Sequence, residues 1–137
     1  MVALVSVQVT VPAVISPEDA YQRLLEETAV FLDVRWYPDG RDASAEFRTS
    51  HISGARFVDL DADLCGSNLE ESATTGRHPF PTPDHFAARL GRLGIADDTH
   101  VIAYDVSGGM TAARLVVMLR MIGRCASLLD GGLPVWS

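Results

Sequence analysis

A chain of 137 residues holds one domain with little room for a second. At 47% hydrophobic residues its composition is globular, and a net charge of −7 argues against a nucleic-acid surface, which needs a basic face for the phosphates. No apolar run reaches membrane-spanning length without polar interruption.

In chain order, Val5, Val7, Val9 and Val11 alternate with Ser6, Gln8 and Thr10, the period of a half-buried strand or extended arm. Residues 1–16 are therefore assigned to an N-terminal arm and first strand, and 17–137 to a single domain. Ser16-Pro17-Glu18-Asp19 opens a helix with a serine cap, a proline at the first helical position and acids in the first turn. Ala20, Leu24 and Leu25 supply its apolar face. Ala29–Val34 reads as a buried strand that ends before the Pro38-Asp39-Gly40 turn. Residues 41–82 show little regularity, with one short strand expected around Ala55–Val58. Thr82-Pro83-Asp84 repeats the helix-start signal; Phe86, Leu90 and Leu93 follow at helical spacing, and Gly94 stops the helix. Val101–Tyr104 is a second buried strand. Ala112–Ile122, apolar almost all round, is a helix packed inside the domain, closed by Gly123. Ala126–Leu129 is a third strand, followed by Asp130-Gly131-Gly132 and a short tail to Trp136 in which no closing helix is expected. Short apolar strands alternating with helices predict an α/β fold: a central, mostly parallel sheet with helices on both faces.

The strongest candidate for chemistry is the loop Asp105-Val106-Ser107-Gly108-Gly109, between the end of a buried strand and the start of a helix. Open α/β sheets place ligands there, and N–H groups bared by two glycines form an anion-binding nest. Double glycine also serves plain turns. Asp105 at the mouth of the nest reads better as a cap for the loop's N–H groups than as a nucleophile, because the second aspartate that one large phosphatase superfamily places two residues on is absent. Asp59, Asp61, Asp63 and Glu70 fall at calcium-loop spacing, but Leu64 occupies the position that demands glycine. This run is read as an exposed strand or loop edge. His51, His78, His85 and His100 lack paired metal spacing and are read as surface or turn residues. Cys65 has no basic residue within the five positions after it, and Cys125 reads as a small buried hydrophobe; neither has the surroundings that activate a thiol. The two thiols suit a reducing cytoplasm, and no basic start marks a secretory signal.

Taken together, Leu32-Asp33-Val34-Arg35-Trp36-Tyr37, Arg41-Asp42, His51-Ile52-Ser53-Gly54-Ala55 with Asp59, His78-Pro79-Phe80-Pro81, Tyr104-Asp105 with Gly108-Gly109, Ala112-Ala113-Arg114, and Leu129-Asp130-Gly131-Gly132 ahead of Trp136 form one ordered set. In order and spacing the chain resembles the N-terminal domain of two-domain rhodaneses, the thiosulfate and 3-mercaptopyruvate sulfurtransferases, from about Pro17 to Trp136. Ser53 stands where that family usually has proline, and Asp105 where its active domains have the sulfur-carrying cysteine.

The resemblance implies a non-catalytic rhodanese domain, inert alone, whose partner is a second domain with the cysteine that carries sulfur as a persulfide. It implies that Trp36 and Arg35 lie towards the cleft between the two halves. It implies no cofactor and no metal; neither nucleic acid nor membrane is expected as a partner. The alternative is a free-standing inactive domain that binds another protein. The chain stops one residue after Trp136, which favours the first reading.

Overall fold

The computed structural model describes residues 11–65 and 79–136. Its elements run β1 (Val14–Ile15), α1 (Pro17–Leu25), β2 (Val30–Asp33), α2 (Ala43–Thr49), β3 (Arg56–Phe57), α3 (Leu60–Asp63), α4 (Pro83–Arg92), β4 (Val101–Tyr104), α5 (Met110–Met121), β5 (Ala126–Leu129) and α6 (Gly132–Trp136). The alternating valines at positions 5, 7 and 9 lie outside the described residues.

All five strands are parallel, in the order β1-β5-β4-β2-β3, so the two predicted buried strands lie side by side in the middle. Because side chains alternate across a strand, each strand serves two cores. Leu32, Val101, Ala103 and Ala126 pack with α3, α4 and α5, through residues such as Leu60, Phe86, Leu90, Leu115 and Leu119. Phe31, Ile102, Tyr104 and Leu129 face the other way, towards Ala20 and Leu24 of α1, Phe47 of α2 and Trp136 of α6. Coverage on both faces is what lets β4 be apolar throughout: all four of its residues are buried.

The helix-start signals act as read. Ser16 Oγ accepts from Asp19 N at 3.2 Å and Thr82 Oγ1 from His85 N at 3.2 Å, each ahead of a proline. Among the described residues of the stretch expected to be irregular, however, there are two helices besides β3. The seven-residue α2 is capped by Asp42, which accepts from Ala45 N at 3.1 Å, and buries no residue fully, so it shows no apolar period. The acidic run is a single helical turn rather than a strand edge. Asp59 Oδ1 accepts from Asp61 N and Ala62 N at 3.0 Å, and Asp63 Oδ2 accepts from Asp59 N at 2.8 Å. The two aspartates cap the turn reciprocally, as in a capping box but with the returning carboxylate one position further on. Glu70 lies outside the described residues.

The tail is likewise helical. α6 ends in Trp136, whose ring meets Phe31 edge-on at 5.5 Å and Tyr21 at 6.1 Å, so aromatic packing fixes five residues that carry no helical signal of their own. Among the described residues no helix is long and apolar enough to cross a membrane.

Candidate functional site

Asp33 of β2 is in register with Tyr104 of β4, so the residues after both strands leave the sheet at the same end. Two buried aspartates organise that end.

The first is Asp105, 1% exposed. Its Oδ1 accepts from Ser107 N at 3.0 Å and Gly109 N at 2.8 Å. Its Oδ2 accepts from Thr111 N at 3.0 Å, Thr111 Oγ1 at 3.0 Å and Ala112 N at 2.9 Å. Gly108 (φ +77°) and Gly109 (φ +93°) take left-handed backbone that turns these N–H groups inward, and Gly109 caps α5 without a side-chain bond. The carboxylate therefore does the capping and sits at the positive end of a twelve-residue helix. The backbone of the same residue anchors α6: Leu133 N donates to Asp105 O at 3.1 Å. A Cβ on Gly132 would lie 2.6 Å from that oxygen, which is why the close approach takes glycine.

Chemically, this nest is full. Both oxygens are engaged by the chain's own donors, which leaves no lone pair poised for attack and no donor set open to an incoming anion. Thr111 was not singled out from the sequence; six positions beyond Asp105, it is the first hydroxyl in the following helix.

The second aspartate is Asp33, fully buried, and it holds Arg35, 3% exposed. Arg35 Nη2 meets Oδ2 at 2.6 Å, Nε meets Oδ1 at 3.0 Å, and the Arg35 backbone N–H adds a bond to Oδ1 at 3.1 Å. Nη2 also donates to Ser50 O at 2.8 Å. Burial opposes the guanidinium's charge, but Asp33 and, after it, Tyr37 together outweigh burial and hold the arginine above its ordinary pKa. Below the pair, burial and then the charge of Asp33 push the Tyr104 hydroxyl up, while that oxygen accepts from Ile52 N at 3.1 Å.

Beyond this pair opens a cleft of about 270 Å³, with Arg35, Trp36, Tyr37, Arg41, Phe57 and Asp59 in its wall. Arg35 and Trp36 thus share a cleft, but the Arg35 charge is turned inward on Asp33 and Ser50. The exposed cation here is Arg41, which stacks 4.4 Å over Tyr37 and meets Asp39 at 3.0 Å. Its bonds and charge hold the Asp39 carboxyl below its usual value.

The remaining candidates are scattered. His51 stacks on Phe47 at 4.0 Å, with Nδ1 2.7 Å from Phe47 O, and His85 Nε2 lies 3.2 Å from Ala62 O. His78 lies outside the described residues. His100 is not a surface residue: it is buried, with Nε2 2.9 Å from Ser127 Oγ. Cys65 is buried beside α5, and Cys125 is half-buried rather than enclosed. Among the described residues no three His, Cys, Asp or Glu side chains gather as a metal would require.

A rhodanese-like domain model matches residues 16–137. The chain is 43% identical over 110 residues to the 3-mercaptopyruvate sulfurtransferase of Homo sapiens, an alignment covering 77% of this chain and 35% of that protein. It is 38% identical over 117 residues to a probable 3-mercaptopyruvate sulfurtransferase of Pseudomonas aeruginosa, covering 83% and 40%. Among solved structures it is similar to a 3-mercaptopyruvate sulfurtransferase from Leishmania major (TM-score 0.78, 26% identity, 90% of this chain and 34% of that one). A 3-mercaptopyruvate sulfotransferase from Escherichia coli gives a TM-score of 0.77 at 28% identity, covering 92% and 47%. The chain thus spans between about a third and just under half of the length of these relatives.

Proposed function

This chain belongs to the rhodanese family, and from that premise we propose that it is the non-catalytic half of a sulfurtransferase that moves sulfane sulfur from thiosulfate or 3-mercaptopyruvate to cyanide or a thiol. The observation that carries this reading is the Asp105 carboxylate filling the nest with five hydrogen bonds. In the reaction proposed, a cysteine thiolate attacks the outer sulfur of thiosulfate, the S–S bond breaks, and sulfite leaves with the bonding pair. An acceptor then takes that sulfur from the persulfide and the thiolate returns. A carboxylate oxygen cannot carry sulfur this way, so the cysteine belongs to a second rhodanese domain. This half contributes Trp36 and the Asp33–Arg35 pair that sets the wall of the cleft facing that domain.

The test is a thiocyanate assay on this chain with thiosulfate and cyanide, repeated with 3-mercaptopyruvate. Product at the level of a protein-free blank is expected. Turnover lost on Cys65→Ser moves the chemistry to Cys65, and turnover that survives loss of both thiols overturns the mechanism. The reading frame past Ser137 then separates the two readings. A second domain with a cysteine loop supports the sulfurtransferase, and a stop supports a free-standing binding module. The module reading has one feature in its favour: an apolar groove of about 130 Å³ formed by Phe80, Pro81, Phe86, Met118, Met121 and Ile122. Phe80 and Met121 in its wall are 58% and 72% exposed.

A further inference from the structure

The segment from Val11 to Ile15 lies along the edge of β5, where Leu128 N donates to Ala13 O at 2.8 Å and Asp130 N to Ile15 O at 2.9 Å. A third bond joins it from the side-chain layer: Ser127 Oγ lies 2.6 Å from Pro12 O, and His100 Nε2 lies 2.9 Å from the same hydroxyl. The hydrogens in this relay have one arrangement. A carbonyl only accepts, so the hydroxyl hydrogen of Ser127 goes to Pro12, and Nε2 must donate to the hydroxyl oxygen. The neutral ring then has a bare Nδ1, and among the described residues that buried atom has no hydrogen-bond partner.

A second proton would therefore enter a buried ring and place an N–H where no acceptor waits among the described residues. Nor do those residues soften that cost. Val11, Pro12 and Ala13 carry no ionisable side chain, Ser127 is neutral, and the charge that reaches the ring from α1 is the cation of Arg23. From this geometry we propose that His100 is a proton-sensitive latch: neutral, it clamps the Val11–Ile15 segment to β5 through Ser127; protonated, it releases the segment and bares the β5 edge.

The sign follows from linkage. Burial, then Arg23, holds the folded ring below the ordinary value of 6.5, and opening the segment returns it towards that value. The latch is at full strength above pH 6.5 and weakens as pH falls through the window beneath it, because the open form binds the proton more readily.

Amide hydrogen exchange of the whole chain, expressed as protection factors between pH 7.5 and 5.5, tests this. Protection of the Leu128 and Asp130 amides should fall by up to about tenfold, that being the proton-binding advantage of a group one pH unit below its ordinary pKa. The Val34 amide, bonded to Tyr104 O at mid-sheet, should hold. In His100→Gln, whose amide can donate to Ser127 but cannot titrate, the pH dependence should vanish. A pH dependence retained in that variant, or absent from the parent, overturns the latch. A readout on the parent alone guards against a variant that misfolds: imidazole nitrogen shifts should place the hydrogen on Nε2 and the titration below 6.5. A ring with its hydrogen on Nδ1, or titrating at 6.5, overturns it equally.

Discussion

Asp33 and Asp105 end neighbouring parallel strands at one end of the sheet, and both are nearly sealed from water, yet their charges are met in opposite ways. Asp33 is answered by a cation. The Arg35 guanidinium binds both its oxygens and then Ser50 O, so one ion pair sets the path of the chain as it leaves β2. Asp105 is answered by dipoles alone: four backbone N–H groups and one hydroxyl, with the start of α5 behind them. The Arg35 guanidinium is taken up by one carboxylate and one carbonyl, whereas a ring of N–H groups suits any anion of the right size. The first arrangement is thus a dedicated structural joint with an open cleft beside it. The second is an anion site whose occupant is the chain's own side chain.

Breaking the joint should cost most. Arg35→Met strands a buried carboxylate, and a loss of about 3–5 kcal/mol in urea unfolding is expected. Adding Asp33→Asn should recover part of it, since the charge disappears while an acceptor for the backbone N–H remains. A double variant no more stable than the single one would mean that the arginine acts by packing rather than by charge.

Emptying the nest should cost somewhat less, because the groups left behind are neutral. Asp105→Ala orphans five donors, and a loss of about 2–4 kcal/mol is expected, given that water can reach some of them through the exposed loop. Asp105→Asn should restore only part of this. The structure engages both oxygens, so the amide must turn its NH2 against donors whichever way it is placed. If Asp105→Ala melts no lower than the parent, the residue is not a cap.

How far the sequence revealed these two sites depends on how each is built. The nest was legible because its parts are local: a strand end, an aspartate and two glycines within five residues. Its other members were not. Thr111 looks like any residue of an apolar helix, and the approach of Gly132 to Asp105 joins positions far apart in the chain. The buried strands and the capped helices α1 and α4 were legible from apolar runs and from Ser-Pro and Thr-Pro signals. The short α2, α3 and α6 were not, since each is held by an aspartate cap or by aromatic packing rather than by a period. His100 was misread because its burial and its bond to Ser127, 27 positions on, arise only once β4 and β5 align.

The smallest expected effect sharpens the contrast most, because it asks whether the nest acts as a sum or as a unit. Thr111→Val keeps the side chain's shape and removes one donor, the hydroxyl 3.0 Å from Asp105 Oδ2. That oxygen would still accept from the N–H groups of Thr111 and Ala112, which belong to the backbone and survive the substitution. If the bonds act independently, the cost should be that of one ordinary hydrogen bond, about 1 kcal/mol, or a drop in Tm of about 3–5 °C for a chain this size. No charge is stranded, so the penalty that dominates Arg35→Met does not arise. A loss approaching that of Asp105→Ala would show instead that the five donors polarise one another, and that the carboxylate stays in place only while all of them point inward. The same melts on Thr111→Ala separate the two contributions of the side chain. Any excess loss over Thr111→Val measures apolar packing at the start of α5, the native methyl together with the one valine puts in place of the hydroxyl.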